Sequence, residues 1–208
     1  MRNIRGKHLL IVGASGHGRV IADLASNSLG YNRIEFLDDD KDLQENGRVL
    51  GGSSYAIEHR EEWDVIVAIG NAAIRQRIQE KYEAEGVNVV TLIHPFSYVA
   101  SDVLIGSGSV IMAGAVVQTG TKLGKGVIVN TSSSIDHDNE IGDYCHIAVG
   151  SHLAGNVKIG NGTWIGAGAT VSNNILIGEN VLVGAGAVII ENINIPGTYV
   201  GVPAKKIK

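Results

Sequence analysis

From Ile93 to Ile195 every sixth residue is Ile, Leu or Val, eighteen positions in succession. Two residues before many of these sites the chain is small or β-branched, as at Ser109, Ala115, Thr121, Ser133, Cys145, Ser151, Thr163, Ala169 and Ala187. A period of six matches neither the 3.6 of a helix nor the 2 of a flat strand. It requires a three-faced coil in which one inward position recurs on each face, so that three hexads close a triangular turn of 18 residues. Gly106, Gly124, Gly142, Gly160 and Gly178 are spaced by that same 18 and would stack in one column. The segment reads as a hexapeptide-repeat parallel β-helix.

Charge and glycine divide the chain near residue 92. Residues 1–92 carry 25 of the 38 charged side chains, whereas residues 93–208 carry 18 of the 28 glycines. Two domains are therefore expected, 1–92 and 93–208, the second with the many tight corners that glycine permits. In the first, the pattern predicts strands at 9–12, 34–37, 65–69 and 87–92. Helices are predicted at 19–28, with Val20, Ile21 and Leu24 on one face, and at 72–85. Strands alternating with helices make a small Rossmann-like parallel sheet, with its crevice at the carboxyl ends of the strands. Gly13, Ser15, Gly16, Asp38, Gly70 and Asn71 all fall at such ends.

A net charge of −4 gives no reason to expect nucleic acid or an anionic membrane as partner. A single cysteine excludes an internal disulfide, and the apolar run at 9–12 is too short for a secretory segment, so the chain reads as cytoplasmic. No apolar run reaches membrane-spanning length.

The turn Gly13-Ala14-Ser15-Gly16-His17-Gly18 lacks the G-x-G-x-x-G spacing, so a nicotinamide cofactor is not indicated. Its exposed N–H groups at a helix N-terminus suit a diphosphate, and a carboxylate at Asp38 suits a ribose or a base donor. The competing reading is a tight turn without a ligand.

In the coil, chemistry belongs on outward and corner positions. His137 lies at a corner two residues after the inward Ile135, between Asp136 and Asp138. Histidine is the usual general base near neutral pH, and a neighbouring carboxylate fixes its tautomer and raises its basicity. Eighteen residues on stands Gly155, whose N–H could face a developing oxyanion. A surface Asp-His-Asp corner is the plain alternative. His146 and His152 belong to successive hexads, hence to different faces, so one chain is not expected to bind zinc through them, although ligands shared between subunits stay open. Trp164 should stack beside His146. Gly166, Ala167, Gly184 and Ala185 should form a smooth groove for an extended ligand along the coil axis, or else a packing face between subunits. Cys145 sits at an inward position and reads as core.

The coil, the runs Asn130-Thr131-Ser132-Ser133, Asp136-His137-Asp138 and Gly155-Asn156-Val157-Lys158-Ile159-Gly160, and the terminal Gly201-Val202-Pro203-Ala204-Lys205 resemble the bacterial sugar acetyltransferases of the left-handed β-helix superfamily. With Gly13 to Gly18, Phe36-Leu37-Asp38-Asp39 and Ile69-Gly70-Asn71, the resemblance narrows to the PglD type. That type comprises acetyl-CoA-dependent N-acetyltransferases acting on a UDP-linked 4-amino-4,6-dideoxy sugar in bacillosamine synthesis. The resemblance implies a left-handed coil and a homotrimer with each active site between two subunits. It implies His137 as general base and Asp138 as the residue that raises its basicity, where the family pattern has Glu. It also implies acetyl-CoA contacts at His146, Ala167 and Ala185. UDP-sugar contacts are implied at Ala14, Ser15, Gly16, Asp38, Asp39 and Gly70 or Asn71. The expected reaction is direct acyl transfer in a ternary complex, with no metal. Competing classes are a sialic acid or other sugar O-acetyltransferase, a zinc-dependent hydratase on the same coil, and a non-catalytic nucleotide-sugar-binding protein.

Overall fold

The computed structural model describes residues 7–28 and 30–208. The chain forms two compact units that divide between Val90 and Thr91.

In the first unit, β1 (Lys7–Val12), β2 (Tyr31–Leu37) and β3 (Asp64–Val67) form a parallel sheet in the order β2-β1-β3. The central strand is buried from Leu9 to Val12, as a parallel strand covered on both faces must be, which is why it reads as an unbroken apolar run. Helix α1 (Gly16–Ser28) connects β1 to β2. The short α2 (Lys41–Glu45) and α3 (Tyr55–Glu58) lie between β2 and β3, and α4 (Ala72–Ala84) follows β3. Leu10, Val12, Leu37, Val65 and Val67 pack with Ala56, Trp63, Tyr82 and Val87. Each such aliphatic burial is worth about 1.5–3 kcal/mol.

Three local expectations are corrected. Helix α1 starts at Gly16, and Val20 is 50% exposed, because the buried stripe runs through Gly18, Ile21, Leu24 and Ala25 instead. Gly18 is packed so closely that a Cβ there would strike the Gly13 carbonyl oxygen. Strand β3 ends at Val67, two residues early. Residues 87–92 do not add a fourth strand: Val89 makes a single bridge to Val65, and Leu92 already opens the first rung of the coil.

The second unit is wound from two-residue rungs in three parallel ladders. The first ladder includes Leu92–Ile93, Val110–Ile111, Ile128–Val129, His146–Ile147, Trp164–Ile165 and Val181–Val183. The second runs from Tyr98–Val99 through Ser134–Ile135 and His152–Leu153 to Val188–Ile189. The third runs from Leu104–Ile105 through Glu140–Ile141 to Leu176–Ile177. Partners within a ladder are 18 residues apart, as His146 with Trp164 and Ser134 with His152.

The inward aliphatics from Ile111 to Ile189 form one continuous core. Only at the ends does the hexad rule fail: Ile93 is 36% and Ile195 61% exposed, since no further turn covers them. The small positions are fully buried, and their polar atoms are satisfied by carbonyls: Ser109 Oγ donates to Gly124 O at 2.9 Å, Thr163 Oγ1 to Gly178 O at 2.7 Å, and Cys145 Sγ to Gly160 O at 3.1 Å. In the glycine column, a Cβ on Gly106 would lie 2.5 Å from the carbonyl carbon of Gly124, and one on Gly160 would lie 2.6 Å from that of Gly178. A hairpin closes the C-terminus, with Gly197–Gly201 pairing parallel to Val181–Val183 and antiparallel to Ala204–Lys206.

Candidate active site

His137 occupies the corner between the second and third ladders. The corner is fixed from inside by Asn139, a fully buried amide whose Nδ2 donates to the carbonyls of Asp136 at 2.6 Å, Ala154 at 3.0 Å and His137 at 3.2 Å, while its Oδ1 accepts from Val157 N at 3.1 Å. Asp136 Oδ1 accepts the His137 N–H at 2.8 Å. Asp138 takes a left-handed φ of 59°, a region Asp tolerates through its short polar side chain. Its Oδ2 stands 2.8 Å from His137 Nδ1, so the shorter acid still reaches the ring. The pair is open to solvent, with side chains 55% and 66% exposed.

The hydrogen bond to Asp138 holds the imidazole pKa above its ordinary value; desolvation opposes it, and the charges of Asp136 and Asp138 add to it. With Nδ1 engaged, Nε2 is the free basic atom. It lies over Gly155, where a Cβ would come within 2.5 Å of it. Among the described residues no carbonyl accepts the Gly155 N–H. The stacking therefore puts a basic nitrogen beside a glycine with a vacant donor.

At the corner between the first and second ladders lies an apolar groove of about 470 Å3. It brings together His146, Trp164, Gly166, Ala167, Gly184 and Ala185. The His146 and Trp164 rings stack at 5.0 Å and 21°. Asn130 Nδ2 lies 3.1 Å from His146 Nε2 and, as a donor, makes that nitrogen an acceptor. Ala167 and Ala185 are exposed on the groove wall. Gly166 and Gly184 serve packing: a Cβ at Gly166 would sit 2.5 Å from Val183 O, and one at Gly184 2.7 Å from Val200 Cγ1. The groove and the His137 corner stand at opposite edges of the second ladder, whose outward face carries His152, bonded to Ser134 Oγ at 2.8 Å. Among the described residues, no three His, Cys, Asp or Glu side chains gather as metal ligands would.

In the first unit the loops after β1, β2 and β3 meet. Ala14 N donates to Asp38 Oδ2 at 2.9 Å, and Asp40 N to Asp38 Oδ1 at 3.1 Å. Asp39 accepts from Ser53 N at 2.7 Å and Ser53 Oγ at 3.0 Å. Asn71 caps α4, its Oδ1 accepting from Ile74 N at 3.0 Å. These carboxylates and amide thus shape their own loops, leaving Ser15 and Gly16 exposed at the start of α1. Among the described residues His17 Nε2 is buried without a hydrogen-bond partner, and burial, with the nearby Arg75 charge, pushes the ring pKa down to about 4.

Sequence reasoning missed Asn139, Asn130, His17 and Arg75 as residues that build these sites. Only Asn139 left a usable signal, an amide in an inward column otherwise holding Thr121, Val157 and Ile175.

Comparison with known proteins accords with both halves of this architecture. Residues 8–82 match the PglD N-terminal domain, and residues 156–191 match the bacterial transferase hexapeptide (six repeats). The acetyltransferase domain of PglB from Neisseria gonorrhoeae FA1090, solved with acetyl coenzyme A, superposes with a TM-score of 0.91 at 42% identity, covering 97% of this chain and 100% of that one. PerB from Caulobacter crescentus, solved with CoA and GDP-perosamine, gives 0.89 at 30% identity, covering 97% of each. The UDP-N-acetylbacillosamine N-acetyltransferase of Bacillus subtilis (strain 168) is 35% identical over 112 residues, 51% of this chain and 52% of that protein. The chain thus spans about half or less of the length of the curated relatives it matches. On the full-length likeness to the two solved acetyltransferases, the chain belongs to the PglD-type sugar N-acetyltransferases, a Rossmann-like domain joined to a left-handed hexapeptide-repeat β-helix.

Proposed function

We propose that this protein uses acetyl-CoA to acetylate the 4-amino group of a UDP-linked 4-amino-4,6-dideoxy sugar. The observation that carries the reading is the hydrogen-bonded His137–Asp138 pair set over Gly155. When bound, acetyl-CoA supplies a thioester carbonyl. His137 Nε2 takes the proton of the sugar amine as the amine nitrogen bonds the thioester carbon, and Asp138 stabilises the imidazolium that results. Collapse of the tetrahedral adduct breaks the C–S bond, the departing thiolate taking that proton to leave as free thiol. The unoccupied Gly155 N–H donates to the oxygen on which negative charge develops. The apolar groove with Ala167 and Ala185 receives the acyl carrier, and the loops of the first unit, with Ala14, Ser15, Gly16, Asp38, Asp39, Gly70 and Asn71, receive the nucleotide sugar.

On one coil the groove and His137 lie at different corners, so a groove and a base that serve the same reaction belong to neighbouring copies. This supports an oligomer with its active sites between subunits, which the family resemblance specifies as a homotrimer. Release of free thiol from acetyl-CoA, measured against a UDP-linked 4-amino-4,6-dideoxy sugar, GDP-perosamine and sialic acid, tests the assignment. Turnover confined to the GDP sugar would correct the nucleotide, and turnover with sialic acid alone would replace N- by O-acetylation.

A further inference from the structure

Arg75 is a charged side chain in the second turn of α4, yet it is only 1% exposed. A guanidinium so deeply buried must spend its donors on fixed acceptors. Its Nη1 donates to the carbonyl oxygens of Ile69 at 2.6 Å and Gly70 at 2.9 Å, the two peptides by which the chain leaves the sheet after β3. Two successive carbonyls that reach one nitrogen are turned to the same side. Across a trans peptide the N–H points opposite to the C=O, so the N–H groups of Gly70 and Asn71 point away from the guanidinium and the interior. No carbonyl or side chain among the described residues accepts either of them. At Gly70 the space a Cβ would fill is open, with no atom within 4 Å.

We propose that Arg75 is a positioning residue of the nucleotide-sugar site: by holding the Ile69 and Gly70 carbonyls inward it presents the Gly70 and Asn71 N–H groups as a donor pair for an oxygen acceptor of the ligand. Its charge also lowers the pKa of the buried His17 near the start of α1, after the larger effect of burial. This inference rests on the proposed nucleotide-sugar reading and adds the residue that gives the loop its polarity.

The test is amide NMR of the full chain with 15N-glycine and 15N-asparagine labels, titrated separately with UDP, GDP, inorganic pyrophosphate and uridine, with calorimetry on the same samples. The expected result is that Gly70 and Asn71 resonances shift on saturation with at least one probe. Pyrophosphate acting alone would identify phosphate as the acceptor, and uridine alone the nucleoside. In Arg75→Met those shifts should vanish and KM for the nucleotide sugar should rise at least tenfold, with kcat at saturation and KM for acetyl-CoA within about twofold. Binding in the wild type with both amides unmoved would overturn the inference and leave the function standing. Failure of every probe to bind would overturn both. Because the amide measurement needs no variant, an Arg75→Met chain that fails to fold leaves the test intact.

Discussion

In the coil a residue's neighbours are found 18 positions away, turn after turn, whereas in the N-terminal unit Ala14 is held by Asp38 and Tyr82 by the Ser53 carbonyl, partners 24 and 29 residues distant that no repeat announces. The difference governs what a substitution can do. In the coil the inward column carries stability and the corners carry the proposed chemistry, so the two should separate cleanly. In the sheet unit the loops assigned to the ligand are the same loops that close the fold. A change there should disturb both at once.

The largest separation is expected at His137. His137→Ala should lower kcat by roughly two to four orders of magnitude while acetyl-CoA affinity and thermal midpoint stay near wild type. Turnover close to wild type would remove His137 from the chemistry. Next is the groove wall, where Ala185→Trp enlarges an exposed corner and not the core, whose residue in that hexad is Val183. Acetyl-CoA affinity should drop by roughly two orders of magnitude, about 2.7 kcal/mol, with assembly and UDP binding retained. Loss of the assembled form would show this wall to be a subunit contact.

Across the divide, Asp38→Ala removes the acceptor of both Ala14 N and Asp40 N. It should raise KM for the nucleotide sugar about tenfold and, unlike the coil variants, cost about 1–2 kcal/mol of stability, with KM for acetyl-CoA nearly unchanged. Chemical denaturation beside steady-state kinetics would break the comparison if stability held while KM rose. The smallest effect belongs to Asp138→Asn. The base must be deprotonated to act, so activity falls as pH drops through the raised His137 pKa. Removing the carboxylate lowers that pKa, so the acid limb of kcat should move to lower pH while the plateau falls roughly three- to tenfold. A pH profile with an unmoved limb would deny Asp138 its part.

What could be read in advance follows the same divide. The hexads, the glycine column, the buried small positions and the pairing of His146 with Trp164 were legible because one period sets both the sequence and the space. The juxtaposition of His137 and Gly155 followed from adding one turn. In the sheet unit, hydrophobic periodicity misplaced Val20, and although the helix at 72–85 was legible, its buried stripe was not, being Arg75, Gln79 and Tyr82 rather than an aliphatic series. Arg75 and Tyr82 are buried with hydrogen bonds to the carbonyls of Ile69, Gly70 and Ser53, and Gln79 donates to Glu83, and a hydropathy pattern does not register such bonds. The supposed strand at 87–92 failed for another reason: an apolar run at a domain boundary does not say which unit takes it up.

The coil is also a ruler. Thr131, in the turn that carries His137, lies under Val149, Ala167 and Ala185, and each step is tied by one backbone bond, from Gly150 N to Thr131 O, Gly168 N to Val149 O and Gly186 N to Ala167 O. Three rungs of about 4.8 Å place Ala185 roughly 14 Å along the axis from the level of the base. An insertion of 18 residues inside that interval would preserve every inward position and every ladder bond, yet it would move the far end of the groove by a full rung, many times the tolerance of a reacting pair. Length here is counted in whole turns, and a chain that miscounts by one could fold without fault and still fail to bring its two substrates together.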